Sequence, residues 1–142
     1  MVVNKLQVDY DFDFLMLALN SNVKPYKLAW YINKVLQVTL MKVENIQIEF
    51  KRNKHLYIQN FEAQGTQYLL RLLKNRAEDE EDTYQAYLIP EMKNFDYFLL
   101  LENDTNTFDE KTFFNQIKEI PFVQFTARVD AKTLKSRDNL IF

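Results

Sequence analysis

Cysteine is absent from this chain, and glycine occurs only once. The first absence excludes disulfides, thiolate catalysis and cysteine zinc sites, and it fits a reducing compartment. The second excludes more. An average chain of this length carries roughly ten glycines. Gly65 alone cannot build a phosphate-binding loop or a dinucleotide fingerprint, because both need several glycines for close backbone approach. An EF-hand fails on the same ground. Histidine is nearly missing too. A catalytic triad would have to be built on His55 with Ser21 or Ser136 as nucleophile, and nothing in the sequence places these together. No apolar run approaches the length of a membrane span. The run FLMLAL follows Asp9, Asp11 and Asp13 rather than a basic flank, so no signal peptide is read. The expectation is a cytoplasmic protein with no cofactor, no bound metal and no membrane partner. The formal charge of −2 does not call for DNA.

What is present is core material. The 142 residues are 47% apolar and include 12 Phe and 8 Tyr, enough for one domain over residues 1–142. QVDYDFDFLMLALN alternates as one long strand. Tyr10, Phe12, Phe14, Met16 and Ala18 fall on one face and Leu15, Leu17 and Leu19 on the other. KPYKLAWYINKVL predicts a helix opened by Pro25, with Leu28, Ala29, Ile32, Val35 and Leu36 as its apolar stripe. NIQIEFK and HLYIQNF predict strands, with Ile46, Ile48 and Phe50 inward and a turn at Gly65. TQYLLRLLKNR fits either period, since Leu69, Leu72 and Leu73 also suit a helix, and the strand is preferred because short strands surround it. AEDEEDT is a solvated acidic loop, and YQAYLI and FDYFLLLE are strands flanking the run IPEMKN, the second with Phe95, Tyr97, Leu99 and Leu101 on one core face. A second helix follows in TNTFDEKTFFNQIKEI, with Thr107 and Glu110 at capping-box spacing and Pro121 closing it. FVQFTARVD predicts a last strand with Val123, Phe125, Ala127 and Val129 inward, before a short helical turn and an apolar end. Runs of adjacent strands with short turns imply an α+β two-layer sandwich: a mainly antiparallel sheet of about six or seven strands, with two main helices on one face.

These motifs resemble the IPExxxVDY family of small bacterial proteins. IPEMKNFDY carries Ile89, Pro90, Glu91, Asp96 and Tyr97 of that signature, with Phe95 where the family name has valine. KLAW, RLLKNR, EIPFVQF and LKSRDNLIF look similar as well, so the resemblance spans nearly the whole chain. It implies no cofactor and no catalytic residue.

Several residue sets then compete for a function. Glu91 and Asp96 are either a carboxylate pair for acid–base chemistry or the fastening of a turn. Asp9, Asp11 and Asp13 on one strand face are either cation ligands or a solvated edge. A small hydrolase using Asp11, Asp13, Glu91 or Asp96 requires these groups to converge. Three basic clusters occur, Lys51/Arg52/Lys54, Arg71/Lys74/Arg76 and Lys132/Lys135/Arg137; basic residues near Tyr57 or Tyr68 either bind single-stranded RNA by charge and stacking or are ordinary surface charge balancing the acidic loop. At 100° per residue, Trp30 lies about 160° from the centre of the first helix's apolar stripe. Tyr26 lies one turn earlier on that outer side, completed by Asn33 and Gln37. Aromatics facing outward mark either an interface anchor, for a protein partner or a second copy, or a seat for the tail Leu140, Ile141 and Phe142. A non-enzymatic interaction module is the leading expectation.

Overall fold

The computed structural model describes residues 12–49, 55–78, 86–103 and 107–142. Tyr10, Asp9, Asp11, Phe50, the Lys51/Arg52/Lys54 cluster and most of the acidic loop lie outside the described residues. Among the described residues six strands form one antiparallel sheet: β1 (Leu15–Asn20), β2 (Met41–Glu49), β3 (His55–Gln64), β4 (Tyr68–Lys74), β5 (Tyr97–Asn103) and β6 (Phe125–Val129). Their order is β2-β3-β4-β5-β1-β6. Two helices, α1 (Pro25–Leu36) and α2 (Glu110–Lys118), pack on the same face of it. The α+β sandwich expected from the pattern is the observed architecture.

Strand alternation sorts the core into two layers. Leu17 and Leu19 of β1 point toward the helices and join Leu28, Ile32, Phe113 and Ile117 in one cluster. Met16 and Ala18 point the other way and join Phe98, Leu100, Leu88, Ile89 and Leu140. The far face of the sheet is therefore also covered, by residues 86–95 and by the C-terminal segment, with short 3-10 turns at Pro90–Met92, Ala131–Thr133 and Arg137–Leu140.

α1 forms where its stripe predicts. Leu28 and Ile32 are fully buried, each worth roughly 1.5–3 kcal/mol. The helix ends at Gln37, whose φ of 57° is left-handed and whose amide reaches Asn33 O.

Five expectations are corrected. β1 begins at Leu15, because Phe12 adopts a φ of 58° that a strand cannot continue through. The run YQAYLI forms no strand where it is described. Tyr87 makes an isolated bridge to Arg76, and Leu88 and Ile89 are drawn into the lower core. Phe95 precedes β5 and packs with the lower cluster, not on the face of Tyr97, Leu99 and Leu101. The cap of α2 is Asp109, whose Oδ2 accepts from Thr112 N at 3.0 Å and Thr112 Oγ1 at 2.9 Å, so Thr107 is not the capping residue. Phe125 is 54% exposed, and Thr126 is the buried residue at that end of β6. Phe125 keeps the same side as Ala127 and Val129 but sits at the sheet's outermost strand, where the Phe95 ring lies 6.0 Å from it.

Candidate functional site: a cationic groove beside the first helix

Leu19 of β1, Lys74 of β4 and Tyr97 of β5 stand in register at one end of the sheet. Three excursions leave from there: residues 21–24 into α1, the segment after Lys74, and the IPEMKNFD run that leads into β5. Asn75 holds them together. It is fully buried, its Nδ2 donates to Met92 O and Phe95 O, each at 2.9 Å, and its Oδ1 accepts from Ile89 N at 2.9 Å. Its backbone adds bonds to Asp96 O and from Leu88 N. A buried amide with this many partners fixes one loop conformation.

The signature residues act as fasteners within this frame. Pro90 opens the 3-10 turn, where a missing N–H is no loss. Glu91 reaches the C-terminal segment, accepting from Ser136 N and Ser136 Oγ at 2.8 Å each. Burial raises the Glu91 pKa, but hydrogen bonds from Ser136, together with the backbone amides of Glu91 and Lys135, outweigh it and hold the carboxyl below its ordinary value. Asp96 Oδ2 accepts from Ser21 N at 2.8 Å. Tyr97 donates its hydroxyl to Val23 O at 2.6 Å, and burial, helped by the Asp96 charge, pushes its pKa up. Glu91 and Asp96 thus fasten different segments. Asp13 is exposed and lies 4.0 Å from Lys132 Nζ. The convergence that carboxylate chemistry needs is not seen among the described members of the set, and no cluster of metal-ligating side chains forms among the described residues.

The triad candidates are likewise held apart. β3, which begins at His55, is separated from β1 by β4 and β5, about 14 Å at the usual strand spacing. Ser136 Oγ is engaged by Glu91.

Around the frame lies a groove of two adjoining depressions. One, of about 360 Å³, is lined by Lys24, Lys74, Arg76, Tyr87, Lys93 and Asp96 among others. The second, of about 440 Å³, is lined by Lys24, Pro25, Tyr26, Lys42, Gln59, Phe61 and Lys74. Lys24, Pro25 and Lys74 belong to both, so the two adjoin. Among the described residues Asp96 is the one carboxylate in the lining, and it is already bonded to the Ser21 amide. Lys42 is steadied by Asn45 Oδ1 at 2.6 Å and lies 5.8 Å over the Phe61 ring.

The outer face of α1 continues from the groove. Tyr26 is 67% exposed and Trp30 57% exposed. Lys34 Nζ lies 5.4 Å over the indole, and Tyr31 meets it edge-on at 5.0 Å. Of the other two residues placed on this face, Gln37 is exposed, but Asn33 is engaged inside the fold. Its amide brackets Leu40, donating to Leu40 O and accepting from Leu40 N at 2.6 Å. The tail does not cover Trp30. Leu140 is buried under the opposite sheet face, and the Phe142 ring lies 4.8 Å from the Arg71 guanidinium.

The predicted RNA-binding set divides. Lys74 and Arg76 line the groove, while Arg71 faces the other side of the sheet, paired with Glu62 at 3.1 Å. Lys135 and Arg137 stand exposed on the C-terminal segment that covers that other side. Lys24, Lys42, Lys93 and Tyr87 were not singled out from the sequence. They come from separate segments, and only the shared presence of lysine near Tyr26 hints at them.

Comparison with family models, with curated proteins and with solved structures gives no match to this chain.

Proposed function

We propose that this protein is a non-catalytic binding module that recognises an anionic partner through the groove and the adjoining outer face of α1. One observation carries the reading. On a chain of net charge −2, Lys24, Lys42, Lys74, Arg76 and Lys93 are gathered from distant segments around two adjoining depressions, with the exposed Tyr26 at their rim. Such a patch attracts anions whatever the sign of the whole molecule. Trp30, flanked by Lys34, extends it as an amphipathic anchor. A homodimer joined α1 to α1 is disfavoured, since α1 and its flank carry Lys24, Lys27 and Lys34 and no acidic residue. The reading includes kinship with the IPExxxVDY family: in proteins sharing that signature, the same residues are expected to build the frame of the same groove.

Heparin chromatography tests the reading. Wild-type protein is expected to be retained and to elute only with added salt, whereas Lys42→Glu/Lys74→Glu passes without retention. Equal retention of the two proteins defeats the assignment. Trp30→Ala is expected to weaken association with a captured partner while melting like wild type. A large loss of stability with unchanged association would remove Trp30 from the binding face.

A further inference from the structure

We infer that the anionic partner is single-stranded RNA, an inference that rests on the reading of the groove as an anion site. Three features fit it, and the second favours it over an acidic polypeptide. The first is the kind of cation. Lysine serves phosphate as a point charge, whereas the planar fork of arginine suits carboxylate and phosphate alike. Among the described residues Lys24, Lys42, Lys74 and Lys93 dominate the lining, and Arg76 already has an interaction within the chain. The second is the placing of aromatics among these charges. Tyr26 borders one depression and Tyr87 the other, so phosphates can track the lysines while bases lie on rings. The third is size. The depressions of about 440 and 360 Å³ fall in the range of ligand pockets, enough for nucleotide-sized groups in succession. An exposed ring such as Tyr26 stacks only on an unpaired base, which selects a single strand over a duplex.

The test is fluorescence anisotropy with a fluorescein-labelled oligouridylate across a potassium chloride series, with an RNA duplex and poly-glutamate as competing probes. The single strand is expected to bind best, its log affinity falling linearly with log salt. Lys42→Ala/Lys74→Ala should weaken it and reduce the slope by about 0.7 for each phosphate contact removed. Tyr26→Ala should cost about tenfold, and Tyr26→Phe little. Lys135→Ala/Arg137→Ala, on the other face, should change nothing. Tyr26 is largely exposed, so its variants are expected to melt as wild type does, and Lys42→Gln/Lys74→Gln repeats the charge test with longer side chains. Binding of poly-glutamate without RNA overturns the RNA assignment and leaves the anion reading standing. Binding of neither probe defeats both. RNA binding indifferent to the groove variants, or equal affinity for the duplex with no effect of Tyr26→Ala, overturns the inference.

Discussion

Asn75 shows how one side chain can decide a loop. Replaced by alanine, it would leave Ile89 N, Met92 O and Phe95 O without their partners. Stranded buried groups cost about 1–3 kcal/mol each, and the two carbonyls are only part-buried and can turn to water, so Asn75→Ala is expected to lose about 3–5 kcal/mol, read as a lower urea midpoint at unchanged slope. Nothing in RLLKNR announces this. The asparagine follows a run of strand residues, and its partners lie beyond the acidic loop. The carboxylates of the signature were visible as candidates, but their roles were not, because Ser21 and Ser136 are far from them in sequence. Glu91 also gives a pH signature. Its folded pKa is depressed, so its contribution is complete above the unfolded carboxylate value of about 4.3 and disappears as pH falls through the folded value. Glu91→Gln is expected to lower stability at neutral pH by about 1 kcal/mol, a figure kept small by its exposure, and the gap to wild type should close in acid. Thermal melts across that range check it.

At the scale of elements, α1 was legible because its apolar spacing is unbroken and Pro25 marks its start. Its end was not, since Gln37 takes a left-handed conformation without the glycine that usually reports one. Gln37→Gly should relieve that strain and stabilise by about 0.5–1 kcal/mol, after allowing for the greater freedom of glycine in the unfolded chain. The β3–β4 hairpin predicts the reverse. Gly65 N donates to Tyr68 O at 3.0 Å, and a Cβ on Gly65 would fall 1.9 Å from Tyr68 Cε2. That ring rests edge-on against Phe108 at 5.1 Å, so Gly65→Ala must displace it. A loss of about 1–3 kcal/mol is expected, with altered near-ultraviolet dichroism from the moved tyrosine. The short strand β6 misled the alternation rule for a different reason. An outermost strand has a neighbour on one side only, so Phe125 can keep its apolar side and still remain half in water.

For the whole molecule, periodicity gave the sheet and its helical layer but not what lies beneath. The lower face is closed by irregular chain, which has no period to read. Deleting residues 137–142 would strip Leu140 from that face and is expected to lower the melting temperature and to admit a hydrophobic dye. The groove escaped notice for a related reason: its charges are scattered along the chain, and a net charge of −2 conceals them. The strand order has a further consequence. β2 through β5 follow one another as a meander, but β1 is seated between β5 and β6, both from the second half of the chain. During synthesis the first strand emerges long before either neighbour exists. It must wait until the segments that carry β5 and β6 have left the ribosome, so the meander can assemble early while closure of the sheet around β1 is a late, long-range and comparatively slow event.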